Sequence, residues 1–522
     1  MSHQDHGLGQ KFSVNHGSLR EAIDWLLCSE MFSNISFRKG CCWTPLTLVA
    51  TVLLWTWGSG RNVTDRFLAA RKIITKAFRL QDELPSYQAF MKILRLWSCE
   101  LLLAVKCRFH AKMEEELPDH FRVAGFVVLA VDGSRINLPR TESNQEAFSA
   151  ARKSGRRTSS GNSAASKAAR GRKTRARKSR TKGSGKNSAR KPKAARKQPL
   201  KKQRAAEKRA AKKSGAGAKK SSRSSDDRPQ MWLTMMWHVG TGLPWDWRRG
   251  PADSSEREDM LSMIEKLPAG SLVTADAGFV GYEYWKALVN SGRHFVIRVG
   301  ANVRLLKNLG YFRRKKDLVY LWPDRAAKDK QEPLVLRMTR FQTTKQTVWI
   351  VSDVLDEKKL SDAQLVEIYK RRWGVEVEFR SFKQTYDYRK LRCHRAENAT
   401  VELDWSLVGL WAVCILGQKK LLDSGQDITR LSVAGVLRAV RQTMHEYKSM
   451  PDEGEDLWSL LTVSVIDSYE RQSKASRDYP RRKRKKPPVG VPEIVDATAE
   501  QIALAREIEM EAKRGENVAA AA

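Results

Sequence analysis

The 522-residue sequence lacks an apolar run that would span a bilayer. Its best candidate, Leu46 to Trp57, is about a dozen residues long and interrupted by threonines, against the ~20 a spanning helix needs. The N-terminal MSHQDHGLGQ has no charged-then-apolar signal pattern. Cysteine is also sparse. The seven, Cys28, Cys41, Cys42, Cys99, Cys107, Cys393 and Cys414, form no CxxC pair. Such a scattered, odd set predicts reduced thiols in a cytoplasm and argues against a structural zinc site. Acidic charge is in short supply too: 58 Asp and Glu face 96 Lys and Arg, a formal net charge of +38. That excess implies a polyanionic partner, nucleic acid first and a membrane surface second.

Large apolar residues are nearly missing between about Ala151 and Arg228. Thirty Lys and Arg there face only Glu207, Asp226 and Asp227, so the segment carries +27 of the total. It cannot bury enough apolar surface to offset its ordering entropy, which predicts disorder. It reads as a basic arm that grips phosphates without reading bases, the plain alternative being a solvated linker. Another basic cluster, RRKRKKPP, spans Arg481 to Pro488.

Around this arm the chain is patterned for packing. Ser18–Glu30, Trp43–Trp57, Val63–Arg79 and Tyr87–Phe109 read as helices, the second apolar nearly all round and so buried. The last two suit either a DNA-docking helix-turn-helix or an ordinary helical hairpin. FVVLAV, from Phe126, is a continuous apolar run ending in Asp132-Gly133, as a buried strand would. SLVTA, from Ser271, again ends in an acid and a glycine turn at Asp276. MWLTMMWHVG (231–240) and TGLPWDWRRG (241–250) read as strand, glycine turn and strand, and further strands are predicted at 294–299, 303–306, 318–322, 334–341 and 347–354. Helices are predicted at 256–267, 282–290, 402–422 and 498–513, the last peripheral.

The densest chemistry lies in YKRRWGVEVEFRSFK, Tyr369 to Lys383, on a predicted helix capped by Ser361. At about 100° per residue, Tyr369, Arg372, Glu376 and Lys383 share one narrow face, with Trp373 and Arg380 at its margin and Glu378 opposite. A carboxylate framed by cations, a phenol and an indole suits a metal ligand set in a phosphate-binding surface. The bland alternative is a solvated face with i,i+4 pairs. Likewise, an acid at a strand end is often only a turn residue. Two such aspartates followed by a helix-borne glutamate, however, are a recurring way to hold two divalent cations about 3.5–4 Å apart against a phosphodiester.

These residues carry a resemblance. The sequence resembles DDE transposases of the bacterial insertion-sequence-4 group, whose signature Tyr-x2-Arg-x3-Glu-x6-Lys is met by Tyr369, Arg372, Glu376 and Lys383. VDGSRINLPRTESN, from Val131, is similar to the group's first-aspartate block, and TADAGFVGYEYWKAL, from Thr274, to its second. The resemblance implies an α/β fold: an RNase H-like mixed sheet flanked by helices, with a β-rich insertion, a helical N-terminal region and the disordered basic insertion. In residue numbers, 1–120 would be the helical region, with candidate DNA-end binding. The core would occupy 121–150, 229–301 and 356–450, the basic insertion 151–228, the β-rich insertion 302–355 and a basic tail 451–522. Asp132, Asp276 and Glu376 would be the catalytic metal ligands, holding two Mg²⁺ or Mn²⁺ ions. Tyr369, Arg372, Trp373 and Lys383 would contact DNA. The implied partners are double-stranded DNA, as transposon ends and target, and a second copy in a synaptic homodimer, with no membrane. The implied setting is a bacterial cytoplasm at the nucleoid. A decayed or domesticated DNA-binding relative is the alternative, as is, more remotely, a separate nuclease or resolvase. The long basic arm departs from the group's short connection.

Overall fold

Side-chain caps start the N-terminal helices. Ser18 and Glu21 exchange bonds across the first turn of α1 (Leu19–Leu26), and Thr44 with Thr47 does the same for α2 (Pro45–Trp57), which also has proline at its first position. α2 is buried almost all round, as its composition predicts. Asn62 caps α3 (Val63–Ala77) and Ser86 caps α4 (Tyr87–Glu116). The helical pair expected here is present, but α4 is longer than predicted, at 30 residues. The computed structural model describes residues 17–60, 62–150, 228–311, 318–343, 346–445, 447, 456–467 and 489–521. All of the basic arm but Arg228, with the disorder predicted for it, and the 481–488 cluster lie outside the described residues. The described residues on either side of the arm belong to one unit.

The described strands make one ten-stranded mixed sheet. In chain order they are β1 (Val128–Asn137), β2 (Gln230–His238), β3 (Leu243–Gly250), β4 (Leu272–Ala275), β5 (His294–Val299), β6 (Arg304–Lys307), β7 (Leu318–Leu321), β8 (Leu334–Gln342), β9 (Thr347–Ser352) and β10 (Glu493–Asp496). Their order across the sheet is β10-β6-β7-β8-β9-β5-β4-β1-β2-β3. β1, β4 and β5 run parallel at the centre, and β2 is antiparallel to both β1 and β3. The central strands are buried on both faces, which is why they read as unbroken apolar runs.

Between and after the strands come α5 (Glu142–Phe148), α6 (Glu256–Leu261), α7 (Tyr282–Asn290), α8 (Asp362–Arg371), α9 (Gly374–Arg380), α10 (Ala396–Asp423), α11 (Val433–His445), α12 (Leu457–Ser464) and α13 (Ala499–Ala521). α10 packs against α2, α4 and α11, and it is tied to α2 by the Trp57 indole N–H donating to the Gly409 carbonyl at 2.9 Å.

The strands expected at 302–355 continue the central sheet, because β9 pairs with β5. Three expectations need correction. The C-terminal segment is not merely a peripheral tail, because β10 pairs with β6 at the sheet edge and Ala505 and Ile508 of α13 are buried. β1 does not stop at Asp132 but runs on to Asn137, since β2 continues to pair with it after β4 has ended. Finally, among the described residues α10 is long and apolar enough, by length and composition, to cross a membrane. Scattered polar residues hid this in the sequence. Of its most apolar 18-residue window, 94% is buried inside the protein, so its apolar surface is already covered.

Candidate active site

The two aspartates are brought level by strand pairing. In the parallel β1–β4 pair Ala130 faces Thr274, and continuing that register two residues sets Asp132 beside Asp276. Asp132 then stands within β1, beyond the last rung shared with β4, where the parallel sheet opens. Its carboxylate accepts the Gly133 N–H at 2.9 Å. Asp276 caps a short 3₁₀ turn, accepting the Gly278 N–H at 2.8 Å. Each aspartate is therefore held by the backbone of its own turn. Gly133 is required by close approach: a methyl there would meet a Glu256 carboxylate oxygen at 2.3 Å and the Trp232 ring at 2.5 Å.

The expected single helix from Ser361 to Lys383 is interrupted. α8 ends at Arg371, Arg372 and Trp373 form the joint, α9 restarts at Gly374, and Ser381–Thr385 closes as a π-helical turn. The joint has a packing cause. The Trp237 indole of β2 lies so close to Gly374 that a Cβ would sit 1.9 Å from it. Arg372 nevertheless reaches forward, its Nη2 donating to Glu376 Oε1 at 3.3 Å. Its guanidinium stacks over the Tyr369 ring, 5.6 Å from the centroid.

Electrostatics link the four groups. Burial pushes the Asp132 carboxyl up to about 6; the Gly133 N–H and Arg372 pull it back, and Asp276 and Glu376 push it further up. For Arg372, burial works against the charge. Tyr369, Asp276, Asp132 and Glu376 outweigh it and hold the guanidinium above its ordinary value. The buried arginine thus acts as countercharge to all three acids.

The structure gathers Asp132, Asp276, Glu376 and Arg372 at one place. Tyr369 is buried, its phenol raised by burial and eased by Arg372 and Arg298. Trp373 is 50% exposed at the joint. Lys383, half-buried in the π turn, donates to Ser134 Oγ of β1 at 2.5 Å. Glu378 is on the opposite face, as the helical wheel predicts, but that face is the core, and burial pushes its carboxyl up to about 8. Sequence reasoning missed Glu256 at the start of α6. Its oxygens lie 2.3 Å and 3.8 Å from where Cβ atoms on Gly133 and Gly278 would be, so a fourth carboxylate borders both aspartate turns. Only the unusual pairing of each acid with a nearby glycine hinted at it.

The acids offer an all-oxygen donor set, the chemistry a hard divalent cation prefers. A cation would also offset the burial, and the lesser repulsion from Asp276 and Glu376, that raise Asp132. The set is not a closed cage: among the described residues no three His, Cys, Asp or Glu side chains converge on one point, and Glu376 is turned toward Arg372.

Comparison with known proteins places this site in a family. Residues 124–410 match the family model described as the transposase DDE domain. No curated protein matches. Among solved structures, the chain is similar to the piggyBac transposase in a cryo-EM synaptic complex with hairpin DNA. The identity is 9% and the TM-score 0.37, with 89% of this chain and 88% of that one covered. The family match takes in more than half of the sequence, from just before β1 into α10, and the chain belongs to the DDE transposases.

Proposed function

We propose that this transposase is of the insertion-sequence-4 type, with an RNase H-like core. It would cut DNA at the ends of its element and join the freed 3′ ends to target DNA. One observation carries this reading. Parallel register sets Asp132 level with Asp276, and Arg372 ties both to Glu376. The mixed sheet, with both aspartates at one end of its central parallel strands, supports the RNase H-like assignment. The full Tyr369, Arg372, Glu376, Lys383 spacing supports the group assignment.

Asp132, Asp276 and Glu376 would hold two Mg²⁺ or Mn²⁺ ions. When bound, these supply charge to activate the attacking oxygen and to stabilise the leaving one. The protein's own residues do the rest. The Gly133 and Gly278 N–H groups fix the two aspartates, and Arg372 offsets the burial that raises Asp132 while it orients Glu376. Lys383, steadied by Ser134, is placed to hold a phosphate beside them. In cleavage, a water oxygen bonds to phosphorus and the P–O3′ bond breaks, leaving a 3′-hydroxyl and a 5′-phosphate. In joining, that hydroxyl attacks a target phosphodiester and its bridging oxygen leaves. Trp373, exposed at the joint, is placed to stack on a base displaced from the duplex. Duplex DNA and a second copy in a synaptic dimer are the expected partners. The intact acids disfavour a decayed copy that only binds DNA.

The test is cleavage of duplex DNA carrying the terminal repeat read from the sequence flanking the gene, in Mg²⁺ or Mn²⁺. Asp132→Ala, Asp276→Ala and Glu376→Ala should each abolish cleavage and leave end binding nearly unchanged. Glu378→Gln, on the buried far face, should retain cleavage within about tenfold (~1.4 kcal/mol). Cleavage surviving in any of the first three variants would overturn this reading.

A further inference from the structure

Beyond Lys383 the chain forms a strap that no part of the proposed chemistry uses. Asp387 takes a left-handed conformation (φ 60°) and turns the chain back along β1. The Asn137 N–H then donates to the Arg389 carbonyl at 3.2 Å, and the Leu391 N–H to the Asn137 carbonyl at 2.9 Å, so the strap joins the end of β1 as a short parallel bridge. Its backbone is pinned from the other side as well. The fully buried Glu402 carboxylate accepts the N–H groups of Arg392 (2.9 and 3.0 Å) and Cys393 (2.8 Å). The Asn144 amide donates to the Cys393 carbonyl at 3.2 Å, and the Thr141 hydroxyl to the His394 carbonyl at 2.6 Å.

This anchoring decides where the side chains go. Leu391 and Cys393 are buried, while Arg389, Lys390, His394 and Arg395 are exposed. Arg389, Lys390 and Arg395 make no ion pair among the described residues; Arg392 pairs with Asp387 at 2.7 Å at the rim. The exposed cations line a cavity of about 1020 Å³, whose far wall includes Asn62 and Val63 at the start of α3 and Tyr87 of α4. The N-terminus of the 15-residue α3 adds partial positive charge to the same space. Solvated cations such as these cost little unpaired, but three of them gathered on one strap, whose backbone a buried glutamate holds in place, concentrate positive charge at a fixed position as a recognition surface for phosphates does.

The geometry points to a phosphate groove for the DNA duplex leading away from the cut. From Asp132 to Asn137 is five residues of β1, about 17 Å at ~3.4 Å each. With the duplex axis lying along β1, at ~3.4 Å per nucleotide, the groove would meet the backbone about five nucleotides from the scissile phosphate. The inference rests on Asp132 marking the site of cleavage.

The experiment uses the full chain and the same terminal-repeat duplex. The triple variant Arg389→Gln, Lys390→Gln, Arg395→Gln should lower the slope of log affinity against log salt by about two to three, at ~0.9 per lost phosphate contact. A control triple of exposed cations that do not line this cavity, Lys266→Gln, Arg325→Gln, Lys328→Gln, should leave it unchanged. A photo-crosslinker at position 390 should mark nucleotides about three to seven from the mapped cut. An unchanged slope in the strap variant, an equal loss in the control, or crosslinks confined elsewhere would overturn the groove. The slope is read without cleavage, so if the Asp132→Ala test fails the phosphate contact still stands or falls on its own, and only the spacing counted from Asp132 falls with the catalytic reading.

Discussion

Arg372 shows how one side chain can serve three acids. It is buried, it bonds Glu376, and it offsets the charge of Asp132 and Asp276. Without it the strand-borne carboxylates would face one another uncompensated, and the buried Asp132 would be pushed further toward its neutral form. Two buried histidines weaken the fold in acid. His238, fully buried, accepts the Thr241 N–H at Nδ1 (3.1 Å), and burial lowers its ring to about 4. Its neighbour His110, stacked on Trp245, is lowered to about 4 by the same cause. Because the folded values lie below the ordinary 6.5, the unfolded chain takes up protons first as pH falls. These two rings therefore add an acid limb: their contribution is full above about pH 6.5 and is lost progressively toward pH 4, by on the order of 3 kcal/mol for His238, against an opposing gain from Glu378, whose carboxyl is pushed up to about 8. His238→Asn, which keeps an acceptor for Thr241, should flatten this limb in melting temperatures measured from pH 7 to 4. A limb of unchanged steepness would show that other groups dominate.

At the scale of elements, the joint between α8 and α9 sets the direction of Glu376. Two effects compete at Gly374. Alanine would favour a helix by about 1 kcal/mol, but its methyl would collide with the Trp237 ring at 1.9 Å, and overpacking of this kind costs about 1–3 kcal/mol. The clash wins, because the indole belongs to the central sheet and has little room to move. Gly374→Ala should thus lower the melting temperature by several degrees and cut the cleavage rate at saturating DNA at least tenfold. A variant as stable and active as the parent would mean that the joint is not set by this contact. The same element explains a failure of sequence reasoning. A helical wheel drawn through Tyr369 to Lys383 groups the right residues because the interruption lasts only about two residues, yet nothing in the local pattern names Trp237 as its cause.

At the scale of the whole molecule, the basic arm interrupts a hairpin that is otherwise closed. β1 and β2 pair continuously from Leu129 with His238 to Asn137 with Gln230, so the site's first strand has its partner without the arm. The arm holds +27 of the net charge on a segment poor in aromatic stacking groups. Such charge adds sequence-independent affinity. Deleting residues 155–226 and closing the gap with a short glycine-serine loop should preserve metal-dependent cleavage and weaken binding to random duplex DNA at low salt. The ratio of terminal-repeat to random binding should widen. Loss of that ratio together with affinity would mean the arm reads sequence.

Much of this architecture is written locally. Period and composition mark the buried α2, the apolar central strands and α7, and the spacing from Tyr369 to Lys383 marks the signature, because side-chain direction repeats with the backbone. Where those pieces meet is not local information. The register that levels Asp132 with Asp276 joins residues far apart in the chain, and Glu256 reaches the site from a helix with no signature of its own. Glu402 fixes the strap across α10, and β10 returns to a sheet edge from the far end of the chain. Each depends on hydrogen bonds and packing between distant segments, whose partners no single stretch of sequence specifies.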